Sequence, residues 1–209
     1  MARSNYEITR DNMQIKFLEY DQEHMVKKFG LRYDGQYLYL PFVGRDYRIG
    51  RKNGKVEWSE DNFLHAGPAG FNEALSIYDV LCCSKEHCRL SGQFCTVNQL
   101  KGIIQSCRVG GGLFPPAARF FNGRTVQLDR ACAALGGQRE ALGDVAYRLY
   151  PFPFFPIILR FWAADEDFPP NLTILWDENT LDFVHYETTY YIQGHLLDRL
   201  RTLMDQMDP

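Results

Sequence analysis

The spacing of apolar residues changes repeatedly along this chain, and each change marks a boundary between elements. Over residues 11–29, Ile15, Leu18, Met25 and Phe29 fall near one face of a 3.6-residue period and Gly30 follows, which predicts a helix. From 31 to 58 the period drops to two. In "RYDGQYLYLPFVGRDYRIGRKNGKVEWS" the Leu38, Leu40, Phe42 set alternates with Tyr37 and Tyr39, and Asp34-Gly35, Gly44-Arg45 and Asn53-Gly54 punctuate the run. Asp-Gly and Asn-Gly supply the positive φ of tight hairpin turns, so four short antiparallel strands are predicted. Helical spacing returns at 72–83 (Leu75, Tyr78, Leu81/Cys82), with Asn72 placed to cap it.

The middle of the chain is less regular. "TVNQLKGIIQ" reads as a short helix capped by Thr96, and "GGGLFPPAARFF" as a loop entering another short helix with Pro115 or Pro116 in its first turn. Residues 125–135 line up Leu128, Ala131/Cys132 and Leu135 before Gly136-Gly137. Strand spacing resumes at 144–150, and "PFPFFP" is too rich in proline for a central strand. Ile157, Leu159 and Phe161 share a face, "LTILWD" follows at 172–177, and Ile192, Leu196, Leu200 and Leu203 make the stripe of a helix over 189–206. Two strand clusters, at about 31–58 and 144–177, separated and flanked by N-terminal, central and C-terminal helices, predict an α+β fold with antiparallel sheet rather than alternating α/β. One domain over 1–209 is the expectation, and the pattern leaves open whether the clusters share a sheet.

Composition narrows the function classes. A net charge of −3, a pI near 6.0 and no run of more than three like charges omit the basic footprint of a nucleic-acid binder. The longest apolar runs are too short to cross a bilayer, and "MARSNYEITRDNMQ" has no apolar core of a signal peptide, so the expectation is a cytoplasmic protein with no membrane segment. The six cysteines are then expected as thiols, and Asn171-Leu172-Thr173 as a chance glycosylation tripeptide.

Several pieces of the chain carry a family resemblance. These are "ALGG" at 134–137, "GDVAYRL" at 143–149, "PFPFFPIILRFWAADEDFPPNLTILWD" at 151–177, "HYETTYY" at 185–191 and the earlier "LPFVGRDYRI" at 40–49. Together they resemble DUF3786, a bacterial and archaeal family of unknown function. The resemblance covers most of the chain, with 86–123 the poorest match. It departs from the family's pattern at Asp167, where glutamate is expected, and at Trp176, where phenylalanine is expected. It names no reaction. Some relatives carry a cysteine-rich iron–sulfur domain, a segment not found in this sequence, and that company implies a link to redox or corrinoid metabolism.

The residues themselves offer a few candidate sites. "FWAADEDFPPN" at 161–171 ends an apolar strand in Asp165, Glu166 and Asp167. In an extended chain Asp165 and Asp167 project together, where they can hold a cation or an arginine, or raise one another's pKa. The alternative is a charged turn with Phe168 folded onto the core. Cys82, Cys83, Cys88 and Cys95, with His87 among them, are the right ligand types for zinc or an iron–sulfur cluster, but the spacing fits neither standard site, so no bound metal is expected. Cys82, Cys107 and Cys132 read as small core residues, and a nucleophile at Cys83 or Cys88 paired with His87 lacks a third member. The glycines of "GGGLFPP" offer amides to an anion without the lysine of a phosphate loop. Thirteen aromatic residues crowd into 147–191, and His185 and His195 near them could ligate a haem or corrinoid. The favoured reading is a non-enzymatic module that binds a planar cofactor or a partner's peptide segment in an aromatic pocket. Trp162 and His185 belong to that pocket, and Asp165, Glu166, Asp167, Asp177 and Glu187 to its acidic rim. The competing reading is an enzyme that uses these carboxylates as acid/base groups or metal ligands.

Overall fold

The computed structural model describes residues 4–103 and 113–207. Within them the order is α1 (Asn5–Phe17), α2 (Gln22–Phe29), β1 (Arg32–Tyr33), β2 (Tyr37–Phe42), β3 (Arg45–Gly50), β4 (Val56–Ser59), β5 (Gly67–Pro68), α3 (Phe71–Cys83), β6 (Phe94–Thr96), α4 (Phe114–Phe121), α5 (Thr125–Ala134), β7 (Gln138–Arg139), β8 (Val145–Phe152), β9 (Phe155–Trp162), β10 (Asn171–Asp177) and α6 (Tyr186–Met207). The fold is α+β, and the two strand clusters form two separate antiparallel sheets. One runs β1-β2-β3-β4-β5 and the other β6-β10-β9-β8-β7.

The first sheet is built by its turns. Asp34 Oδ1 accepts from the amides of Gln36 and Tyr37, and Gly54 takes a positive φ after Asn53, so both dipeptides turn the chain. The β2–β3 turn is Val43-Gly44, one residue earlier than the spacing suggested, and both residues have positive φ. A β-branched residue in that region is strained by about 1–3 kcal/mol. Packing holds it there: Val43 is buried, and its N–H donates to the Pro151 carbonyl of the other sheet at 2.9 Å. Leu38, Leu40 and Phe42 point into the core and Tyr37 and Tyr39 are half-buried on the opposite face.

Four expectations are corrected. The stretch 11–29 is not one helix: the chain breaks after Phe17, and Asp21 caps a second helix by accepting from the His24 amide at 3.0 Å. Ile15 and Leu18 are exposed accordingly. The N-cap of α3 is Gly70 rather than Asn72, and the Glu73 side chain folds back to the Gly70 amide. Only Val97–Gln99 of "TVNQLKGIIQ" is helical among the described residues, as one 3₁₀ turn. The proline-rich "PFPFFP" does contribute to central strands: it ends β8, turns, and opens β9, both interior strands of the second sheet. Its prolines sit where no ladder amide is needed. The β9–β10 ladder stops at Ile157, just short of Pro156, and a register shift between Leu149 and Phe152 absorbs Pro151.

Helix α6 ties the molecule together. It packs on α3 and α5, while α4 and α5 cover β10 and β8 of the second sheet. Ile192, Leu196, Leu200 and Met204 are fully buried, as are Ile157, Leu159 and Phe161 of β9. Between the sheets runs a stack of rings: Phe29 on Phe154, Phe154 on Phe152, Phe152 on Phe42 and Phe42 on the His195 imidazole, with centroids 4.5–5.8 Å apart.

Candidate functional site

Three polar constellations stand out once the core is set aside. The first is buried. Tyr47 on β3 donates to Glu73 Oε1 at 2.5 Å and lies 3.2 Å from His195 Nε2 on α6. The single phenolic proton is committed to Glu73, so the phenolic oxygen accepts from the imidazole N–H, which fixes the tautomer. Arg45 binds Glu60 at 2.9 Å and lies 3.9 Å from Glu73, and Arg199 lies 3.3 Å from Glu60. Two guanidiniums thus face two carboxylates, and His195 stays neutral between them. Burial first, and then Arg45 and Arg199, lower its pKa to about 4, against the pull of Glu73. Tyr47 is fully buried and His195 and Glu73 nearly so, so this network clamps β3, α3 and α6 together.

The second constellation lies where α3 ends and α6 begins. Asp79 and Cys83 stand four residues apart on one face of α3. His185, just before α6, donates its backbone N–H to Asp79 Oδ2 at 2.7 Å and holds Nδ1 2.6 Å from Oδ1. The ligating atoms of Asp79, Cys83 and His185 all lie within 4.8 Å of one another. Burial, and then the Asp79 carboxylate, push the Cys83 thiol up to about 11, the wrong direction for a nucleophile. Its neighbour Cys82 is pushed up to about 12 by burial.

The third is the corner between β9 and β10, which holds the acids singled out in the sequence. Asp165 Oδ1 accepts from the amides of Asp167 (2.9 Å) and Phe168 (2.7 Å), and the Asp165 amide donates to the Phe168 carbonyl. Asp165 therefore does shape a turn. Two more side chains fasten its approach: Asp144 accepts from the Ala163 amide and Asn122 from the Ala164 amide. Phe168 does not fold onto the core; it is 69% exposed, and Trp162 is 39% exposed. The self-bonded Asx turn and the stiff Pro169-Pro170 that follows turn the ring outward. The corner opens a groove of about 820 Å³ lined by Trp162, Phe168, Pro169, Asp144, Asp165 and Asn171, among others.

The rim expected from sequence is thereby divided. Trp162, Asp165, Glu166 and Asp167 lie at the end of β10 that carries Asn171, whereas Asp177 closes its other end, about 20 Å away at 3.3 Å per residue over the strand. Asp177 is buried and accepts from the amides of Ser91, Gly92 and Asn179, so its carboxylate is a staple for the loop after α3. Glu187 is exposed in the first turn of α6, and His185 belongs to the Asp79 group. Asp79 and Glu73 were missed because both sit inside the apolar pattern of α3, where a lone acid reads as one polar turn of a helix. Their burial was the signal, and sequence does not display it. Cys107 and Gly110 to Gly112 of "GGGLFPP" lie outside the described residues.

The family described as "Domain of unknown function (DUF3786)" matches residues 21–199. The chain belongs to this family. The DUF3786 match opens on Asp21, the N-cap of α2, and runs to Arg199 within α6, so it contains all three constellations and leaves α1 outside. No curated protein and no solved structure matches the chain. No helix among the described residues is long and apolar enough to cross a membrane.

Proposed function

We propose that this DUF3786 protein is a non-enzymatic binding module that receives a partner's peptide segment, bearing a basic side chain, in the groove at the β9–β10 corner. The observation that carries this reading is the outward placement of Phe168 and Trp162 on a turn already fixed by side chain–to–backbone hydrogen bonds. Exposed aromatic rings on rigid backbone are the usual anchors of an interface, because little freedom is lost when they are covered. Asp144, Asp165, Glu166 and Asp167 give the corner a negative rim, which suits a guanidinium or ammonium stacked on an indole or phenyl face. The groove is open to solvent rather than enclosed, so it suits a peptide segment better than a small cofactor that must be mostly buried. Neither His185 nor His195 lines it, which speaks against an axially ligated haem or corrinoid there.

The test is a titration of the whole chain with a short labelled peptide rich in arginine and leucine, beside the same peptide with glutamate for arginine. Binding of the basic peptide alone is expected. Phe168→Ser and Trp162→Ser should each weaken it about tenfold, an interface loss of about 1.4 kcal/mol, with unchanged melting curves. Equal binding of both peptides, or no loss in either variant, would refute the reading.

A further inference from the structure

We propose that Asp79, Cys83 and His185 form a zinc site with a fourth position open to solvent. The cluster lies toward the Asp177 end of the second sheet, away from the groove, and the proposal is independent of the peptide reading.

The donors come from two elements whose meeting is secured by the core. Asp79 and Cys83 are one helical turn apart on α3, and α6 packs directly against that helix. His185 is the residue that leads into α6, and its backbone bond to Asp79 Oδ2 fixes where the imidazole hangs. The three ligand atoms already lie within 4.8 Å of one another. In a tetrahedral zinc site, ligands at about 2.0–2.3 Å stand roughly 3.3–3.8 Å apart. The 2.6 Å Asp79–His185 pair must therefore open slightly and the thiol must swing inward. The imidazole has room to do so, since the His185 side chain is 65% exposed. The ion takes the place of the hydrogen between Asp79 and His185 and of the thiol hydrogen, so binding releases protons.

Donor chemistry selects the metal. A sulfur ligand disfavours calcium and magnesium, and a mixed carboxylate, imidazole and thiolate set suits zinc. Three protein ligands and one free position is the pattern of zinc sites that bind water or an incoming ligand rather than of purely structural ones. Charge also balances: one carboxylate, one thiolate and a neutral imidazole cancel a divalent ion. The Asp79 side chain is only 10% exposed, and its carboxylate is held by His185 and by the Cys83 thiol, the two groups that would share the ion with it. The spacing of cysteines along the chain predicted no metal because two of these three donors are not cysteines and one lies about a hundred residues away.

The test uses the full chain, stripped with a chelator and titrated anaerobically with Co²⁺ as a visible stand-in, then with Zn²⁺. One ion per chain is expected, with a dissociation constant below about 1 µM for zinc and a near-ultraviolet thiolate-to-cobalt band that zinc abolishes. Cys83→Ser and His185→Ala should each weaken binding at least tenfold, and Cys83→Ser should remove the band. Cys82→Ser, one residue away, should keep both. Circular dichroism confirms that the variants are folded, and Asp79→Asn is avoided as the primary test because Asp79 also anchors the His185 amide. No uptake by the wild-type chain, undiminished uptake in Cys83→Ser, or equal loss in Cys82→Ser would overturn the proposal.

Discussion

At the scale of single residues, His195 makes the clearest demand on solution behaviour. Its pKa falls from 6.5 to about 4 on folding, so the unfolded chain binds more protons than the native one between those values. Stability from this group is complete above about pH 6.5 and is lost as pH falls towards 4, by up to about 3 kcal/mol. Denaturant midpoints measured from pH 7.5 to pH 4.5 should show that loss, and His195→Gln should flatten the slope over this window while lowering stability at neutral pH. The same scale explains one success and one failure of sequence reading. Asp165 was legible as a turn residue because its chemistry is local, the oxygen reaching amides two and three positions on. Phe168 was not, because the direction of a ring after a turn depends on backbone angles that a string of letters does not state. Phe168→Ala is accordingly expected to change stability by less than about 0.5 kcal/mol, as at other exposed positions. Asp165→Ala should cost about 0.5–2 kcal/mol for the lost amide bonds. Thermal melts of the two variants beside wild type decide both.

Elements were read well wherever periodicity acts alone and poorly where a cap or a ladder edge decides. The Leu38–Leu40–Phe42 and Ile157–Leu159–Phe161 faces, and the stripe of α6, follow directly from alternation and helical spacing. The break between α1 and α2 escaped because the apolar spacing runs on across it, and only the Asp21 cap marks the new start. The β8–β9 hairpin is not legible because proline density alone argues against an interior strand, whereas what matters is whether the partner ladder needs that amide. Helix ends offer the sharpest test at this scale. Lys28 Nζ donates to the Ser84 carbonyl, the Ser84 hydroxyl and the Lys85 carbonyl at 2.7–3.0 Å, closing the C-terminal end of α3 from α2. Lys28→Met keeps the stem and removes all three bonds. A loss of about 1–3 kcal/mol is expected, the value of charged hydrogen bonds that partly close a helix end, read from urea unfolding.

Across the whole molecule, the two sheets touch through few but consequential contacts. The Val43 amide bonds the Pro151 carbonyl, and the ring stack from Phe29 to His195 crosses the junction. That the clusters form two sheets was beyond the sequence, since alternation sets which face is buried and not which edge finds which. The expectation of one domain predicts one cooperative transition, and the chain carries its own reporters. Trp58 lies in the first sheet beneath the Arg45 guanidinium, and Trp176 lies fully buried in the second. With Trp162 replaced by phenylalanine, single-tryptophan variants at 58 and 176 should unfold at the same urea concentration. Separate midpoints would show two independent units. Phe152→Ala, which removes the ring at the centre of the stack, should cost about 3–5 kcal/mol and lower both midpoints together.

Helix α6 follows every strand in chain order, yet it supplies His195 and Arg199 to the clamp and Leu196 and Leu200 to the core. Synthesis at about 5–20 residues per second therefore completes the last strand one or more seconds before their common helix is complete. During that interval the buried faces of β2 and β9 have no final cover. A chain that lacks the residues from 186 onward leaves those faces open to chaperones, proteases and other copies of itself.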